Sequence, residues 1–138
     1  MMKVRDAMST DVKTIPATGS LHEVATIMRQ NDIGSVPVAE NDQLVGMVTD
    51  RDLVIRGLAE QLSADSQVRS VMTGKVLYCY DDQDLDEAVR NMADQEIRRL
   101  PVVNRDKRLV GVLALSNVAA CDDDRLNGEL LEGVATPH

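Results

Sequence analysis

The chain has 138 residues and a formal net charge of −8, with no Phe, no Trp and only two Tyr. This length is typical of one compact unit, whose core must be packed from Val, Leu, Ile, Ala and seven Met. The negative charge repels a phosphate backbone, and the scarcity of aromatic rings removes the stacking surfaces that single-stranded nucleic acids need, so nucleic-acid binding is not expected.

Neither a targeting segment nor a membrane span is predicted. The first eight residues, MMKVRDAM, contain no apolar stretch of the kind found in signal peptides. No uninterrupted apolar run approaches the roughly 20 residues that a membrane span needs. We therefore expect a cytoplasmic protein that does not associate with membranes.

The sequence repeats itself. Three segments of the first half recur in the second half, two at an offset of 64 residues and one at an offset of 65. The matched pairs are residues 4–8 and 68–72, residues 33–38 and 97–102, and residues 44–48 and 109–113. We place a first repeat at residues 1–62, a linker at 63–67, a second repeat at 68–124 and a flexible tail at 125–138.

In the first repeat, a short first strand is followed by an amphipathic helix and then by a hairpin. Ser20 and Glu23 have the spacing of a capping box, and apolar residues follow at helical spacing, namely Leu21, Val24, Ala25 and Met28. Two β-rich runs, residues 35–38 and 44–48, are separated by the turn cluster at 40–42. A second helix is predicted over residues 50–62.

The second repeat has the same predicted order of elements. Asp84 and Glu87 repeat the capping-box spacing before an apolar stripe made of Leu85, Ala88, Val89, Met92 and Ala93. The hairpin turn at residues 104–107 holds the one inserted residue, and a last helix is predicted over residues 115–123. Each repeat is therefore a strand–helix–strand–strand–helix unit of the α+β class.

A three-stranded sheet with helices on one face leaves its other face apolar. Two such βαββα repeats, packed back to back about a pseudo-twofold axis, would cover each other's open face. This arrangement is expected to leave a cleft where the two hairpins meet.

Two short motifs lie in register on these elements. Residues 36–38 (VPV) are followed by Gly46 and then by Thr49 and Asp52, and residues 100–102 (LPV) are followed by Gly111. In the second copy, Ala114 and Asn117 replace the Thr and the Asp. From residue 4 to about residue 120, the chain resembles a pair of CBS domains, the family named after cystathionine β-synthase.

This resemblance implies a disk-like module that commonly dimerises and binds adenosine compounds in the cleft between repeats. In the family, the Asp of this motif holds the ribose hydroxyls and the Thr helps to bind the phosphate. By position, the first set of ligand-binding residues is Thr49, Asp50, Arg51, Asp52, Val76, Leu77, Tyr78, Arg98, Arg99, Leu100 and Pro101. A weaker second set is Thr14, Ser35, Val36, Pro37 and Asn117.

Elementary chemistry also favours one complete site over two. A carboxylate such as that of Asp52 can accept hydrogen bonds from two neighbouring hydroxyls, whereas Asn117 has one acceptor oxygen. Arg98 and Arg99 can supply charge-assisted contacts to a phosphate, and Tyr78 can lie against a base. The alternative is structural: Thr49 and Asp52 also fit a helix N-cap, and Arg98 and Arg99 also fit the exposed edge of a strand.

No constellation in the sequence is typical of catalysis or of metal binding. Cys79 and Cys121 match no metal-ligand spacing and are interpreted as buried free thiols, and His22 has no nearby second His. We therefore predict a protein that is not an enzyme and holds no metal or cofactor. Two hypotheses follow: a regulatory module, a homodimer, that binds an adenosine ligand and signals to an unidentified protein partner, or a ligand-free dimeric scaffold of the stress-response type.

Overall fold

The computed structural model describes residues 2–119. In chain order, its elements are α1 (Val4–Ala7), α2 (Leu21–Asn31), β1 (Ser35–Glu40), β2 (Gln43–Thr49), α3 (Asp50–Asp52), a π-helix (Leu53–Leu58), a 3-10 helix (Val68–Ser70), β3 (Cys79–Tyr80), α4 (Leu85–Gln95), β4 (Arg99–Val103), β5 (Leu109–Ala114) and α5 (Leu115–Ala119). The mixed α+β class is confirmed. The predicted continuation of the last helix to residue 123, Cys121 and the tail at 125–138 lie outside the described residues.

The chain divides into two compact units. The central unit is Lys13–Val76, and the terminal unit joins residues 2–12 to residues 77–119 of the described chain. Each unit has its own apolar core. The units therefore do not coincide with the two repeats, because the first short segment of each repeat belongs to the unit that holds the rest of the other repeat.

Helix α2 forms one wall of the central core. Ser20 is its N-cap, as predicted, and the Ser20 hydroxyl accepts a hydrogen bond from the Glu23 N–H at 3.0 Å. Three of the four predicted core residues are buried, namely Leu21, Val24 and Met28. The amphipathic helix is confirmed, although the fourth apolar residue, Ala25, is exposed. The buried stripe is therefore narrower than the apolar stripe in the sequence.

Strands β1 and β2 form the predicted hairpin and are longer than the apolar runs suggested. They pair in antiparallel fashion from Ser35 opposite Thr49 to Glu40 opposite Gln43. The turn consists of Asn41 and Asp42, with φ angles of 50° and 66°. Two consecutive positive φ angles are typical of a type I′ turn, which matches the twist of the flanking strands.

The helix predicted over residues 50–62 has a different form. Only α3 is α-helical, and the next six residues form a π-helix, in which the Ala59 N–H donates to the Val54 carbonyl at 2.8 Å. The wider π turn accompanies a close approach at Gly57, which is buried. A Cβ atom on Gly57 would lie 3.3 Å from Leu21 Cδ1. The packing against α2 thus accounts for the short side chain at this point.

The terminal unit contains a three-stranded sheet in the order β3–β4–β5. Strand β3 is parallel to β4, and β4 is antiparallel to β5. The prediction that Asp84 caps α4 with its side chain is wrong, because the Asp84 carboxylate instead accepts a hydrogen bond from Lys3 Nζ at 2.9 Å. The predicted core stripe of α4 is confirmed at four positions, namely Leu85, Ala88, Val89 and Met92.

The first short segment of each repeat packs in the unit that holds the rest of the other repeat. We call these two segments, residues 4–9 and 68–73, the exchanged segments. Val4 of α1 is buried in the core of the terminal unit, and its repeat equivalent Val68 is buried in the core of the central unit. Each segment then pairs with a hairpin: Ser9 bridges Val112, and Thr73 bridges Met47. Each hairpin therefore pairs along one side with the exchanged segment that begins the other repeat.

Candidate functional site

Thr49 and Asp52 form a reciprocal capping box at the end of β2. The Thr49 hydroxyl accepts from the Asp52 N–H at 3.1 Å, and Asp52 Oδ2 accepts from the Thr49 N–H at 2.9 Å. The Asp52 side chain is 15% exposed. The structural role considered for this motif is thus confirmed, and it fixes both polar side chains in the conformations seen here.

The capping box leaves hydrogen-bonding capacity at both residues. Thr49 uses its oxygen as an acceptor, which leaves its hydroxyl proton to donate. Asp52 commits Oδ2 to the cap, while Oδ1 lies 4.0 Å from Arg56 Nε. Asp50 is exposed, and its Oδ1 accepts from the Arg51 N–H at 2.8 Å. The first motif therefore offers one donor and one carboxylate oxygen on a fixed backbone.

The second motif retains only half of this arrangement. Asn117 Oδ1 accepts from the Ala114 N–H at 3.0 Å, which reproduces the contact between Asp52 and Thr49. Ala114 has no hydroxyl to complete the box. The amide oxygen of Asn117 is engaged in the cap, and the rest of the amide group is a donor. The second motif therefore preserves the turn and loses the acceptor and donor groups of the first.

The structure distributes the predicted ligand-binding residues over both units. The central unit holds Thr49–Asp52 and Val76 of the first set, and Thr14, Ser35, Val36 and Pro37 of the second set. The terminal unit holds Leu77, Tyr78, Arg98, Arg99, Leu100, Pro101 and Asn117. Val36, Pro37, Leu100 and Pro101 are buried in the strands of their hairpins. The convergence of either set on one ligand remains a prediction.

Arg98 and Arg99 lie at the start of β4 and are both exposed. Within residues 2–119, neither guanidinium has an ion-pair partner. Their charges are therefore not used by the described part of the fold. Both proposed roles, a phosphate contact and an exposed strand edge, agree with this position.

A cluster of aromatic and basic side chains was not predicted from the sequence. Lys107 Nζ donates to the Tyr78 hydroxyl at 2.7 Å and also to the Tyr80 hydroxyl. The two rings meet edge to face, with centroids 5.7 Å apart. Arg105 lies 4.0 Å from the centroid of the Tyr80 ring and forms an ion pair with Asp82 at 2.7 Å. The signal in the sequence was the spacing of Tyr78 and Tyr80 on one strand edge beside a basic hairpin turn.

This cluster shifts the ionisation of its members. The hydrogen bond from Lys107, then that with Tyr78, lowers the pKa of Tyr80. The same contacts raise the pKa of Lys107, with Tyr78 the largest cause. The hydrogen bonds from Arg105 lower the pKa of Asp82.

Cys79 is a buried free thiol, as predicted. It is 2% exposed in the core of the terminal unit, and burial raises its pKa to about 12. The thiol is therefore protonated and unreactive near neutral pH. In residues 2–119, no group of three or more His, Cys, Asp and Glu side chains has the arrangement of a metal site. The same residues include no helix with the length and apolar character to cross a membrane.

The sequence matches a known protein family and is similar to a known relative over most of its length. The CBS-domain family model matches residues 4–57 and 68–122. The CBS domain-containing protein YhcV of Bacillus subtilis is 36% identical over 119 residues, which cover 86% of this chain and 84% of that protein.

Two similar solved structures contain adenosine compounds. CBSX2 in complex with AMP has a TM-score of 0.77 and 27% identity, and the match covers 86% of this chain and 94% of that one. The CBS domain pair of protein MJ0100, in complex with 5′-methylthioadenosine and S-adenosylmethionine, has a TM-score of 0.74 and 26% identity. That match covers 93% of this chain and 97% of the other.

Proposed function

The chain belongs to the CBS-domain family, and from this premise we propose that it is a regulatory module that binds an adenosine-containing ligand. The observation that carries the proposal is the Thr49–Asp52 capping box, which fixes a hydroxyl donor and a carboxylate oxygen on one short turn. The complexes of CBSX2 with AMP and of MJ0100 with methylthioadenosine and S-adenosylmethionine support the ligand class.

In the proposed complex, Asp52 accepts hydrogen bonds from the ribose hydroxyls, and Thr49 donates its hydroxyl proton to the ligand. Asp52 can do this without leaving the cap, because only Oδ2 is bound to the Thr49 N–H. Arg98 and Arg99 are expected to neutralise a phosphate if the ligand carries one. Asn117 is a poorer acceptor for a diol than Asp52, since it has no charge and its one acceptor oxygen already caps Ala114. We therefore propose one ligand per chain.

Regulation requires that the ligand favour one of two states of the module. A ligand shifts such an equilibrium only by its difference in affinity for the two states. We propose that the output passes to a protein partner in the cytoplasm and that the module acts as a homodimer. Sedimentation velocity with and without ligand tests the dimer, which is expected to sediment at about 30 kDa, twice the 15.1 kDa of one chain.

Thermal unfolding with a panel of adenosine compounds tests the binding proposal. AMP, ADP, ATP, methylthioadenosine and S-adenosylmethionine are each added to the wild type and to Asp52→Asn. A ligand at about 100 times its dissociation constant stabilises the folded state by about 2.7 kcal/mol, which corresponds to several degrees. We expect at least one compound to raise the Tm of the wild type clearly more than that of Asp52→Asn. No shift with any compound would favour a ligand-free scaffold.

A further inference from the structure

Arg56 connects the Asp52 carboxylate to the exchanged segment of the central unit. Its Nε lies 4.0 Å from Asp52 Oδ1, and its Nη1 donates to the Val71 carbonyl at 3.4 Å. Val71 follows the 3-10 helix and is buried in the core of the central unit. The guanidinium is therefore anchored at one end by the backbone and directed at Asp52 from the other.

The contact falls on the oxygen that the cap does not use. Asp52 Oδ2 accepts from the Thr49 N–H at 2.9 Å, and Oδ1 is the oxygen nearest to Arg56. The carboxylate is thus hydrogen-bonded to the backbone of β2 through Oδ2 and has a cation facing Oδ1 at 4.0 Å. A rotation that exchanged the two oxygens would break the hydrogen bond that Oδ2 accepts.

We propose that Arg56 is a positioning residue for the ribose of the adenosine ligand. It keeps Oδ1 of Asp52 oriented, so that this oxygen can accept from both hydroxyls of the diol. The inference rests on the proposed function, since it gives Arg56 a role only through the contact between Asp52 and ligand. Arg56 itself is not required to touch the ligand.

The expected size of the effect follows from the exposure of the pair. The Arg56 side chain is 54% exposed, so water and salt screen its attraction for Asp52. Ion pairs of this kind contribute about 0.2–1 kcal/mol, equivalent to a change in affinity of up to about fivefold. Arg56→Met, which removes the charge and keeps much of the apolar length, is therefore expected to raise the Kd for AMP by up to about fivefold.

A structural role and a positioning role predict different results with a ligand that lacks the diol. Isothermal titration calorimetry compares AMP with 2′,3′-dideoxy-AMP for the wild type, Arg56→Met and the control Arg29→Met. Arg29 lies on α2 of the same unit and is also exposed, so its replacement makes the same change in net charge. We expect Arg56→Met to weaken AMP binding, to leave dideoxy-AMP binding unchanged, and Arg29→Met to change neither.

The outcomes separate this inference from the proposal on which it rests. If the wild type binds AMP and Arg56→Met binds both compounds as the wild type does, the inference is overturned and the proposed function stands. Equal weakening for AMP and dideoxy-AMP overturns it too, because Arg56 would then act on the ligand or on the fold rather than through the diol. A wild type that binds no adenosine compound overturns both. Circular dichroism melting of Arg56→Met confirms that the variant is folded.

Discussion

The amide oxygen of Asn117 accepts a hydrogen bond from the backbone N–H of Ala114 at 3.0 Å. Asp52 makes the same contact with the Thr49 N–H at 2.9 Å, and there the Thr49 hydroxyl also accepts a hydrogen bond from the Asp52 N–H. The two repeats thus keep one turn geometry with different chemistry. The cap explains why Asn is tolerated at position 117, and the loss of a carboxylate there explains why we assign the ligand to the first motif.

Restoring the first motif in the second repeat should create a second capping box. In the double variant Ala114→Thr, Asn117→Asp, a Thr at the N-cap position is expected to stabilise the fold by about 1 kcal/mol, because a hydroxyl now accepts a helical N–H. Urea unfolding measures this change, and calorimetry with AMP is expected to show a second binding event. A variant that is no more stable than the wild type would contradict our account of the second motif.

Replacing Asp52 should separate its structural role from its ligand role. Asp52→Ala removes the acceptor of the Thr49 N–H and is expected to lower the free energy of unfolding by about 1 kcal/mol. Asp52→Asn keeps an acceptor oxygen, as Asn117 does, and is expected to retain most of that stability. Urea unfolding of the two variants checks the difference. Equal destabilisation would mean that the charge of Asp52, rather than its cap, stabilises the fold.

A side chain at Gly46 should disrupt the packing of the exchanged segment, residues 68–73, against β2. A Cβ atom there would lie 2.7 Å from Met72 Sδ and 3.0 Å from the Thr73 carbonyl oxygen. Gly46→Ala is therefore expected to cost about 1–3 kcal/mol, since the segment must move away from β2. Gly74→Ala is the matched control: nothing lies within 4 Å of its added methyl group, so it is expected to be neutral or slightly stabilising. Thermal unfolding of both variants decides the point.

The Cys79 thiol should resist modification in the folded protein. Burial raises its pKa to about 12 from an ordinary value near 9, so the thiolate is scarce below that pH. In a Cys121→Ser background, the reaction of Cys79 with a disulfide reagent at pH 8 is expected only as fast as the protein unfolds. Rapid labelling of the folded chain would contradict its placement in the core.

The raised pKa of Cys79 also predicts how stability changes with pH. Above pH 9, the thiol ionises in the unfolded chain but not in the folded one, so the unfolded state binds fewer protons. The contribution of Cys79 is thus fully present below pH 9 and falls by about 1.4 kcal/mol per pH unit towards pH 12. In the Cys121→Ser background, the protein that retains Cys79 is expected to lose stability faster over this pH range than the protein that also carries Cys79→Val.

The ionisation of Tyr80 should depend on Lys107. The hydrogen bond from Lys107 lowers the pKa of Tyr80, because a neighbouring cation favours the phenolate. Lys107→Met is therefore expected to move the phenolate absorbance near 295 nm to higher pH. Both proteins are measured in a Tyr78→Phe background, where Tyr80 is the one tyrosine and the absorbance reports its ionisation alone. An unchanged titration would show that the contact does not persist in solution.

The sequence predicted the elements whose cause is local. The hairpin β1–β2 follows from β-rich runs around Asn41 and Asp42, both of which tolerate the positive φ angles of the turn. Helix α2 follows from its Ser20 cap and its apolar spacing. The capping box of Thr49 and Asp52 also belongs to this class, because its two partners are three residues apart.

The features that the sequence did not predict depend on contacts between distant residues. The exchange of Val4 and Val68 between units is invisible in a repeat pattern, because the pattern gives each segment the same core whichever hairpin it joins. The Asp84 side chain makes no cap bond and instead accepts a hydrogen bond from Lys3, which is 81 residues away along the chain. The close packing of Gly57 against Leu21 within the π-helix is likewise a contact between distant residues, and helical periodicity does not reveal it.

Calorimetric titration of the wild type with AMP, beside Asp52→Asn, tests the central claim most directly. We predict one molecule of AMP bound per chain of the wild type, and a dissociation constant raised by at least tenfold in Asp52→Asn at unchanged Tm. Binding of equal affinity in both proteins would contradict the assignment of the ribose to Asp52. The absence of any binding to the wild type by AMP and the related adenosine compounds would contradict the ligand-binding function itself.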